Sequence, residues 1–326
     1  MIEVMRLVKR FGGVVAVDDI SLAVRPGEIF GFLGPNGAGK TTTINILCTL
    51  LRPTSGQARV AGYDVTTQSR HVRQAIGIIF QDPSLDERLT AEENLEFHGL
   101  IYHVPRQTRR RHVDALLRLV QLEDRRHDVV RTFSGGMKRR LEIARGFIHE
   151  PQILFLDEPT QGLDPQTRTN IWAYIEHLRT QRPVTIFMTT HYMDEAEHCD
   201  RIAIIDHGRI IALDTPEALK RQVGGDVITL TTADDRLAAE EIARHFGLTA
   251  HANGAGLRLD VPDGHAFLPR LLLQCRVPIT TVDLRRPTLD DVFLKLTGRA
   301  IREGVSSTTD RLRETKRRFT WKAGRR

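Results

Sequence analysis

The sequence contains few cysteines and no long apolar run, and each absence excludes a class of protein. The three cysteines, Cys48, Cys199 and Cys275, are far apart and form no C-x-x-C pair, which argues against a disulfide framework or a zinc site. No segment approaches the roughly 20 apolar residues that a bilayer-spanning helix needs. Residues 1–11 alternate like a strand and lack a secretory signal core. We therefore expect a cytoplasmic chain that relies on a partner for any membrane crossing.

Excess charge is also missing from most of the chain, although the formal net charge is +6. From Arg299 onward ten Lys or Arg stand against three Asp or Glu, so residues 1–298 are close to neutral. A neutral body argues against a nucleic-acid binder. The basic C-terminal segment is rich in Ser and Thr and is predicted to be disordered. Because Phe319 and Trp321 stand among its basic residues, it could instead lie on an anionic membrane surface.

The most informative segment has the pattern G-x-x-x-x-G-K-[ST], which predicts a phosphate-binding loop between an apolar strand and a helix. Its residues are Gly34, Pro35, Asn36, Gly37, Ala38, Gly39, Lys40, Thr41 and Thr42. Glycines let backbone N–H groups surround phosphate oxygens, and the helix N-terminus adds partial positive charge. We expect Lys40 to reach the β/γ-phosphates and Thr41 to ligate Mg²⁺. The alternative is a Gly-rich turn before an ordinary helix.

Two further motifs predict chemistry at the same site. An apolar strand ends in Asp157 and Glu158, and charge at the carboxyl end of a buried strand is typical of a ligand site at a sheet edge. We expect Asp157 to hold Mg²⁺ and Glu158 to polarise an attacking water, unless both are simply solvated loop residues. Ser134, Gly135 and Gly136 open a basic helix, which predicts a second anion site or an ordinary helix N-cap.

In sequence order these motifs resemble those of the ATP-binding subunits of ABC transporters, over residues 1 to about 220. The phosphate loop matches the Walker A motif, Asp157-Glu158 the Walker B pair, and residues 134–137 the signature motif. The other matching positions are Phe11 (the aromatic that stacks on adenine), Gln81 (the Q-loop), Gly162 to Pro165 (the D-loop) and His191 (the switch histidine). Taken alone, Phe11 would suggest a core aromatic, and His191 a structural histidine.

The resemblance implies an ATPase in which two copies of the chain pair head to tail around ATP. The γ-phosphate would be held by Lys40 and His191 of one copy and by the signature residues of the other, and Asp164 would relay between the two sites. The residues implied in catalysis are Glu158, His191, Gln81 and Lys40, and those implied in Mg²⁺ binding are Thr41, Gln81 and Asp157. The residues implied in ATP binding also include Phe11, Ser134, Gly135, Gly136 and Asp164.

The same resemblance implies an α/β fold with several parts. It consists of a P-loop ATPase core of ABC type with a mixed sheet, an antiparallel β subdomain, a helical subdomain and a small α+β C-terminal domain. We expect the ATP-binding domain at 1–222, with the helical subdomain at about 84–150. The C-terminal domain would cover 223–298, and the basic tail 299–326.

Three segments, at 137–141, 190–196 and 287–294, resemble those of daunorubicin-resistance export ATPases and of nodulation-type lipo-oligosaccharide exporters. This favours export of a drug or of a lipid-like, hydrophobic substrate through a separate transmembrane permease, with the chain peripheral at the cytoplasmic face of the membrane. The segment from Asp82 to Leu95 would pass the motion to that permease. Without the family, 287–294 predicts only a capped amphipathic helix that packs on its own small domain.

Three other functions remain open at this point. The core motifs do not exclude the ATPase of an importer. A soluble ABC ATPase acting on nucleic acid or ribosomes is disfavoured, because the chain has one cassette and no long coiled-coil insertion. A regulatory module that binds ATP without hydrolysing it is disfavoured by the presence of Glu158 and His191. We therefore expect no nucleic-acid partner.

Overall fold

The structure is a computed structural model. The structure describes residues 1–81, 84–181, 184–252 and 256–298. The predicted tail at 299–326 and residues 82–83 of the predicted coupling segment lie outside this described part. Within it, no helix has the length and apolar character that a membrane span requires.

Strands and helices alternate through most of the chain. The strands are β1 (Ile2–Phe11), β2 (Val14–Val24), β3 (Ile29–Leu33), β4 (Ser55–Val60), β5 (Tyr63–Asp64), β6 (Ile76–Ile79), β7 (Ile153–Asp157), β8 (Thr185–Thr190), β9 (Arg201–Asp206), β10 (Arg209–Asp214), β11 (Asp226–Thr232), β12 (His251–Ala252), β13 (Leu257–Val261) and β14 (Ile279–Arg285). The helices are α1 (Lys40–Leu47), α2 (Ser69–Ala75), α3 (Ala91–Ile101), α4 (Arg106–Leu119), α5 (Gly135–Phe147), α6 (Pro165–Gln181), α7 (Met193–Ala196), α8 (Pro216–Val223), α9 (Asp235–Phe246), α10 (Gly264–Gln274) and α11 (Leu289–Thr297).

A mixed central sheet with the order β10–β9–β3–β8–β7–β6 forms the body, which confirms the predicted α/β core. Only β10 among these strands runs antiparallel to its neighbour. Every residue of β3, β7 and β8 is buried, as expected when both faces of a parallel sheet are covered. Because β3, β7 and β8 are parallel neighbours, their carboxyl ends meet at one edge, where ligands bind in such sheets.

The alternation of side chains along β3 divides the core into two halves. Ile29 and Leu33 face the cluster that includes the helices α4 and α5, whereas Phe30 and Phe32 face the second cluster. The second cluster is closed by an antiparallel sheet of order β2–β1–β4–β5, which confirms the predicted β subdomain. Its inward side chains include Ile2, all of whose surface is buried.

The predicted helical subdomain, at about 84–150, contains α3, α4 and α5, which pack against one another. Thr90 begins α3 with a capping box to Glu93. The apolar side chains of α4 and its C-cap, Val113, Leu116, Leu117 and Val120, are buried in the core.

The C-terminal region has a separate antiparallel sheet of order β12–β13–β11–β14, on which α9 and α10 pack. Its own apolar cluster includes Ile228, Leu259 and Ile242, and the presence of both strands and helices confirms the α+β class expected for this region. The edge strand β14 was not predicted, because most of its residues are exposed and it lacks a buried alternation. The predicted domain boundaries themselves stay predictions.

The alternative interpretation of 287–294, a capped helix that packs on its own small domain, is wrong about the packing, since the apolar side chains of α11 do not join the cluster of the small C-terminal sheet. Helix α11 packs against α8 and α7. Leu289, Val292 and Phe293 join the core cluster that also contains Leu219 of α8. Lys295 Nζ donates to the carbonyl oxygens of Gln222 and Val223, each at 2.9 Å, at the C-terminal end of α8. The C-terminal helix therefore returns to the ATPase body.

Candidate functional site

The loop between β3 and α1 has a backbone that only glycine can follow at several positions. Gly37 and Gly39 have φ values of +82° and +110°. A Cβ on Gly39 would lie 2.4 Å from the carbonyl oxygen of Ala16, and one on Gly34 would lie 2.3 Å from that of Ile205. The loop therefore turns tightly against β2 and β9 and leads into the N-terminus of α1, where free N–H groups and the helix dipole favour an anion.

Lys40 begins α1, and its ammonium group is held inside this loop. Its Nζ donates to the carbonyl oxygens of Gly34 at 2.7 Å and Pro35 at 3.2 Å, and it lies 3.3 Å from Glu158 Oε1. Burial lowers the pKa of Lys40, and the neighbouring Glu158 charge opposes that shift. The ammonium group is thus positioned between the phosphate loop and the acidic end of β7.

Asp157 ends β7 directly beside the start of α1. Its Oδ1 lies 3.4 Å from Thr41 Oγ1 and accepts a hydrogen bond from Thr189 Oγ1 of β8. Burial raises the pKa of Asp157, although the bond from Thr189 opposes the rise. A carboxylate and a hydroxyl are oxygen ligands of the kind that Mg²⁺ prefers. Thr41 and Asp157 therefore fit a magnesium site.

Glu158 is held in a strained backbone conformation just beyond β7. Its φ is +47°, a region that costs free energy in residues other than glycine and that often occurs at functional sites. The backbone N–H donates to the carbonyl oxygen of Thr189 at 3.1 Å. Burial disfavours the charge of the carboxyl group, but His191 and Lys40 outweigh it, so the pKa of Glu158 lies below its usual value. Glu158 is therefore an ionised acceptor at neutral pH.

His191 follows β8 and faces the same carboxylate. Its Nδ1 lies 3.3 Å from Glu158 Oε1, yet the direction of the contact does not make a hydrogen bond. The ring is 8% exposed and packs on Tyr192, with a centroid separation of 4.1 Å. The structure thus brings Lys40, Glu158 and His191 together at one buried point.

The turn that carries His191 is braced by Glu195 of α7. The buried Glu195 carboxyl accepts a hydrogen bond from Thr190 Oγ1. That same hydroxyl accepts the backbone N–H of Tyr192 at 2.9 Å. Burial raises the pKa of Glu195 to about 7. The residues on both sides of His191 are therefore tied to one buried carboxyl group.

Replacing Glu195 with glutamine should stabilise the fold increasingly as the pH rises above about 4.5. The native pKa of about 7 exceeds the ordinary value of 4.5, so ionisation opposes folding increasingly from pH 4.5 to 7 and fully above that. We expect the free energy of unfolding of Glu195→Gln to exceed that of the native chain by ~2–3 kcal/mol at pH 8 and to match it near pH 4.5. Thermal or urea unfolding at both pH values, with Glu197→Gln as the surface control, tests this. An equal difference at both pH values would contradict it.

A groove of about 570 Å³ opens beside these residues. Its lining consists of Ala16, Asn36, Gly37, Gly39, Lys40, Thr41, Thr42, Gln81, Glu158 and Gln161. The Gln81 side chain crosses this groove, since its Nε2 donates to Gln161 Oε1.

Phe11 is 48% exposed, and the Lys9 ammonium group lies 4.9 Å from its ring centroid, so Phe11 is not a core aromatic. Ala38 is buried behind the loop.

The predicted signature residues do not line this groove. Ser134 is the N-cap of α5, and its Oγ accepts the backbone N–H of Met137 at 3.3 Å, while the anion site at this helix N-terminus stays a prediction. Ser134 and Gly135 are exposed, and Gly136 is half-buried against Thr167. The exposed side chain of Asp164 accepts hydrogen bonds from Thr167, which lower its pKa.

Three polar residues were not predicted from the sequence, and each of them contacts a predicted site residue. Thr189 bonds to Asp157, Gln161 bonds to Gln81, and Arg139 bonds to backbone around Glu158. Gln161 stands between the Walker B pair and the D-loop, a position that could have drawn attention. The other two gave no signal, because each lies far along the chain from the group it contacts.

Comparison with protein-family profiles gives two matches along the chain. Residues 17–161 match the family described as ABC transporter. Residues 215–297 match the family described as ATP-binding protein DrrA1-3-like, C-terminal domain. The second match includes α8, the small sheet and α11.

Among curated proteins, the chain is 42% identical to the daunorubicin resistance ATP-binding protein DrrA3 of Streptomyces coeruleorubidus over 296 residues, or 89% of this chain and 93% of that one. It is 39% identical to Nod factor export ATP-binding protein I of Burkholderia lata over 305 residues, covering 93% of this chain and 98% of that protein.

Solved structures give the same result for the fold. An ATP-binding subunit of an ABC transporter superposes with a TM-score of 0.62 at 31% identity, covering 68% of this chain and 92% of that one. A dimeric ATP-binding cassette in a post-hydrolysis state, bound to ADP and Pi, gives a TM-score of 0.60 at 26% identity, covering 66% and 98%. These matches confirm the expected resemblance and fold class. The chain belongs to the ATP-binding subunits of ABC transporters, a family of ATPases.

Proposed function

We propose that this chain is the ATP-hydrolysing subunit of an ABC exporter and that two copies close head to tail around ATP. The observation that carries the proposal is the separation of the two anion sites. Lys40, Thr41 and Glu158 share one groove, whereas the exposed helix N-terminus at Ser134 lies outside it. One copy therefore offers two half-sites, and a second copy would complete both. A solved relative of this family is itself a dimer bound to ADP and Pi.

In this dimer the phosphate loop and Lys40 bind the β- and γ-phosphates, and Phe11 offers its exposed ring to the adenine. The signature residues Ser134, Gly135 and Gly136 of the second copy contact the γ-phosphate through the N-terminus of α5. Asp164 would couple the two sites, since the loop that carries it leads from Glu158 to α6.

Hydrolysis needs an oriented acceptor for the proton of the attacking water, and Glu158 supplies it. His191 contacts the same carboxylate and would hold the γ-phosphate. Thr41, Asp157 and the Gln81 side-chain oxygen would hold Mg²⁺, which neutralises charge on the phosphates. After hydrolysis the bridge between the two copies is lost, and the like charges that remain favour opening.

A separate permease would dock on the helical subdomain. Three side chains on one face of α3 are apolar and solvent-exposed: Phe97 at 57%, Leu100 at 54% and Ile101 at 54%. Exposed apolar side chains on one face at helical spacing are typical of a protein interface. They lie on the helix that follows the Q-loop, so a partner bound here would sense its movement. This partner would place the chain at the cytoplasmic face of the membrane.

The names of relatives support a hydrophobic substrate class. One is named for daunorubicin resistance and one for Nod factor export. By similarity along nearly the whole chain, we propose a drug or a lipid-like molecule as the substrate, contacted by the permease.

Mixing two inactive variants tests whether each site is shared between two copies. Lys40→Ala removes the phosphate-loop lysine, and Ser134→Arg blocks the exposed helix N-terminus. Each variant alone should be inactive. An equal mixture should regain up to about a quarter of the native rate, because half of the dimers are mixed and each of those has one intact site. No recovery in a mixture shown to exchange subunits, or a native rate per chain that stays constant on dilution below the dimer range, would contradict the proposal.

A further inference from the structure

The guanidinium group of Arg139 is buried inside the fold and donates to two separate segments of the site. Arg139 lies on α5, five residues after the signature serine, and is 7% exposed. Its Nε donates to the carbonyl oxygen of Pro159. Its Nη1 donates to the carbonyl oxygen of Phe80 at 2.6 Å, and Nη2 to that of Glu158 at 3.4 Å. One side chain therefore joins α5 to the residue before Gln81 and to the backbone of Glu158.

Glu142, one turn further along α5, pairs with Arg139 and extends the connection. Its Oε2 accepts a bond from Arg139 Nη1 at 3.0 Å, and its side chain is completely buried. Its Oε1 accepts the backbone N–H of Ser84 at 2.6 Å, and Arg145 donates to the Ser84 hydroxyl. The segment around Gln81 is thus anchored to α5 at Phe80 on one side and at Ser84 on the other.

A buried ion pair is costly to desolvate and adds little stability compared with apolar packing. This pair uses four backbone groups, and all four belong to segments that enter or leave the proposed catalytic site. The guanidinium group of arginine presents five N–H donors in fixed directions from three nitrogens, whereas lysine donates from a single nitrogen, so only arginine can span carbonyl oxygens that lie apart. The arrangement is therefore better explained by a requirement for position than by stability.

We propose that Arg139, paired with Glu142, is a positioning residue of ATP hydrolysis that transmits movement of α5 to Glu158 and Gln81. The inference rests on the proposed function, because it assumes that Ser134 at the start of α5 contacts the nucleotide of the other copy. A displacement of α5 on contact with that nucleotide would move Arg139 and, through it, the backbone of Glu158 in the same chain. Each site would then respond to occupancy of the other.

Steady-state kinetics of Arg139→Met and Arg139→Lys test this role. We expect Arg139→Met to lower kcat by about 10- to 100-fold with a KM within about threefold of the native value, since a misplaced catalytic group costs rate more than binding. Arg139→Lys keeps the positive charge beside Glu142 but lacks the planar guanidinium group, so its kcat should lie between the native value and that of Arg139→Met. In a Glu158→Gln background, Arg139→Met should cause little additional loss in single-turnover rate, because it acts through Glu158.

Arg109→Met is the matched control. Arg109 is also a nearly buried arginine of the helical region, and it bonds to Glu96 and to the carbonyl oxygen of Val104, away from the site. Arg109→Met should lower the melting temperature, as we also expect of Arg139→Met, but it should keep the native kcat. Native kcat in both Arg139 variants, or an equal kcat loss in Arg109→Met, would overturn the positioning role. If Glu158→Gln also kept native turnover, the proposed function itself would fail.

Discussion

Glu158→Gln is expected to bind ATP, remain dimeric with it, and hydrolyse it at least about 100-fold more slowly than the native chain. The amide has the shape of the carboxylate but cannot accept a proton from water. Its oxygen can still face Lys40 and His191, which lie 3.3 Å from Glu158 Oε1, so the site should keep its form. Loss of the buried negative charge also removes its repulsion of the triphosphate. Binding and dimerisation should therefore survive while turnover does not.

Phosphate-release assays together with light scattering in ATP and Mg²⁺ measure both halves of this expectation. Glu28→Gln is a matched control, because Glu28 is a buried carboxylate paired with Arg201 at 3.1 Å, at the opposite end of β3. It should lower stability and leave kcat unchanged. Hydrolysis by Glu158→Gln at the native rate would remove Glu158 from the catalytic role.

Lys40→Ala is expected to abolish nucleotide binding or to reduce turnover by at least about 100-fold. The ammonium group is almost fully buried and is directed at the loop carbonyl oxygens of Gly34 and Pro35. Without it, the phosphates lose a positive partner inside a low-dielectric pocket. Glu158 would also lose one of the two cationic neighbours that stabilise its charge, so its pKa would rise.

Fluorescent-nucleotide titration separates loss of binding from loss of turnover in this variant. Lys220→Ala is the control, because Lys220 is also a salt-bridged lysine, held by Glu197 and Glu217 on the surface of α8. Its turnover should match that of the native chain. Unchanged affinity and unchanged kcat in Lys40→Ala would show that Lys40 lies outside the functional site.

Much of the candidate site could be predicted because its residues stand next to strong local signals. Lys40 and Thr41 follow a glycine-rich loop, and Asp157 and Glu158 end an all-apolar strand. Parallel strands place their carboxyl ends at one edge, so these local patterns also imply proximity in space. The structure brings Lys40, Thr41, Asp157, Glu158 and His191 together as expected. Their individual roles stay predictions.

Contacts between distant segments could not be predicted in the same way. In the sequence Arg139 is only one residue of a basic helix, yet in the structure it is buried and bonds to carbonyl oxygens 19 to 59 positions away. Likewise, α11 carries an apolar stripe whose partner the stripe does not specify. Its partner is α8 of the ATPase body.

The sequence by itself determined the P-loop, the acidic strand end, the order of the ABC motifs and the α/β class, because each depends on neighbouring residues or on a short period. Only the tertiary structure decided which backbone groups Arg139 and Glu142 join, that Thr189 supports Asp157, and where α11 docks. These depend on how separate segments share one interior. In the interior, the contacts of a side chain depend on residues that are distant in sequence, so a local sequence pattern cannot predict them.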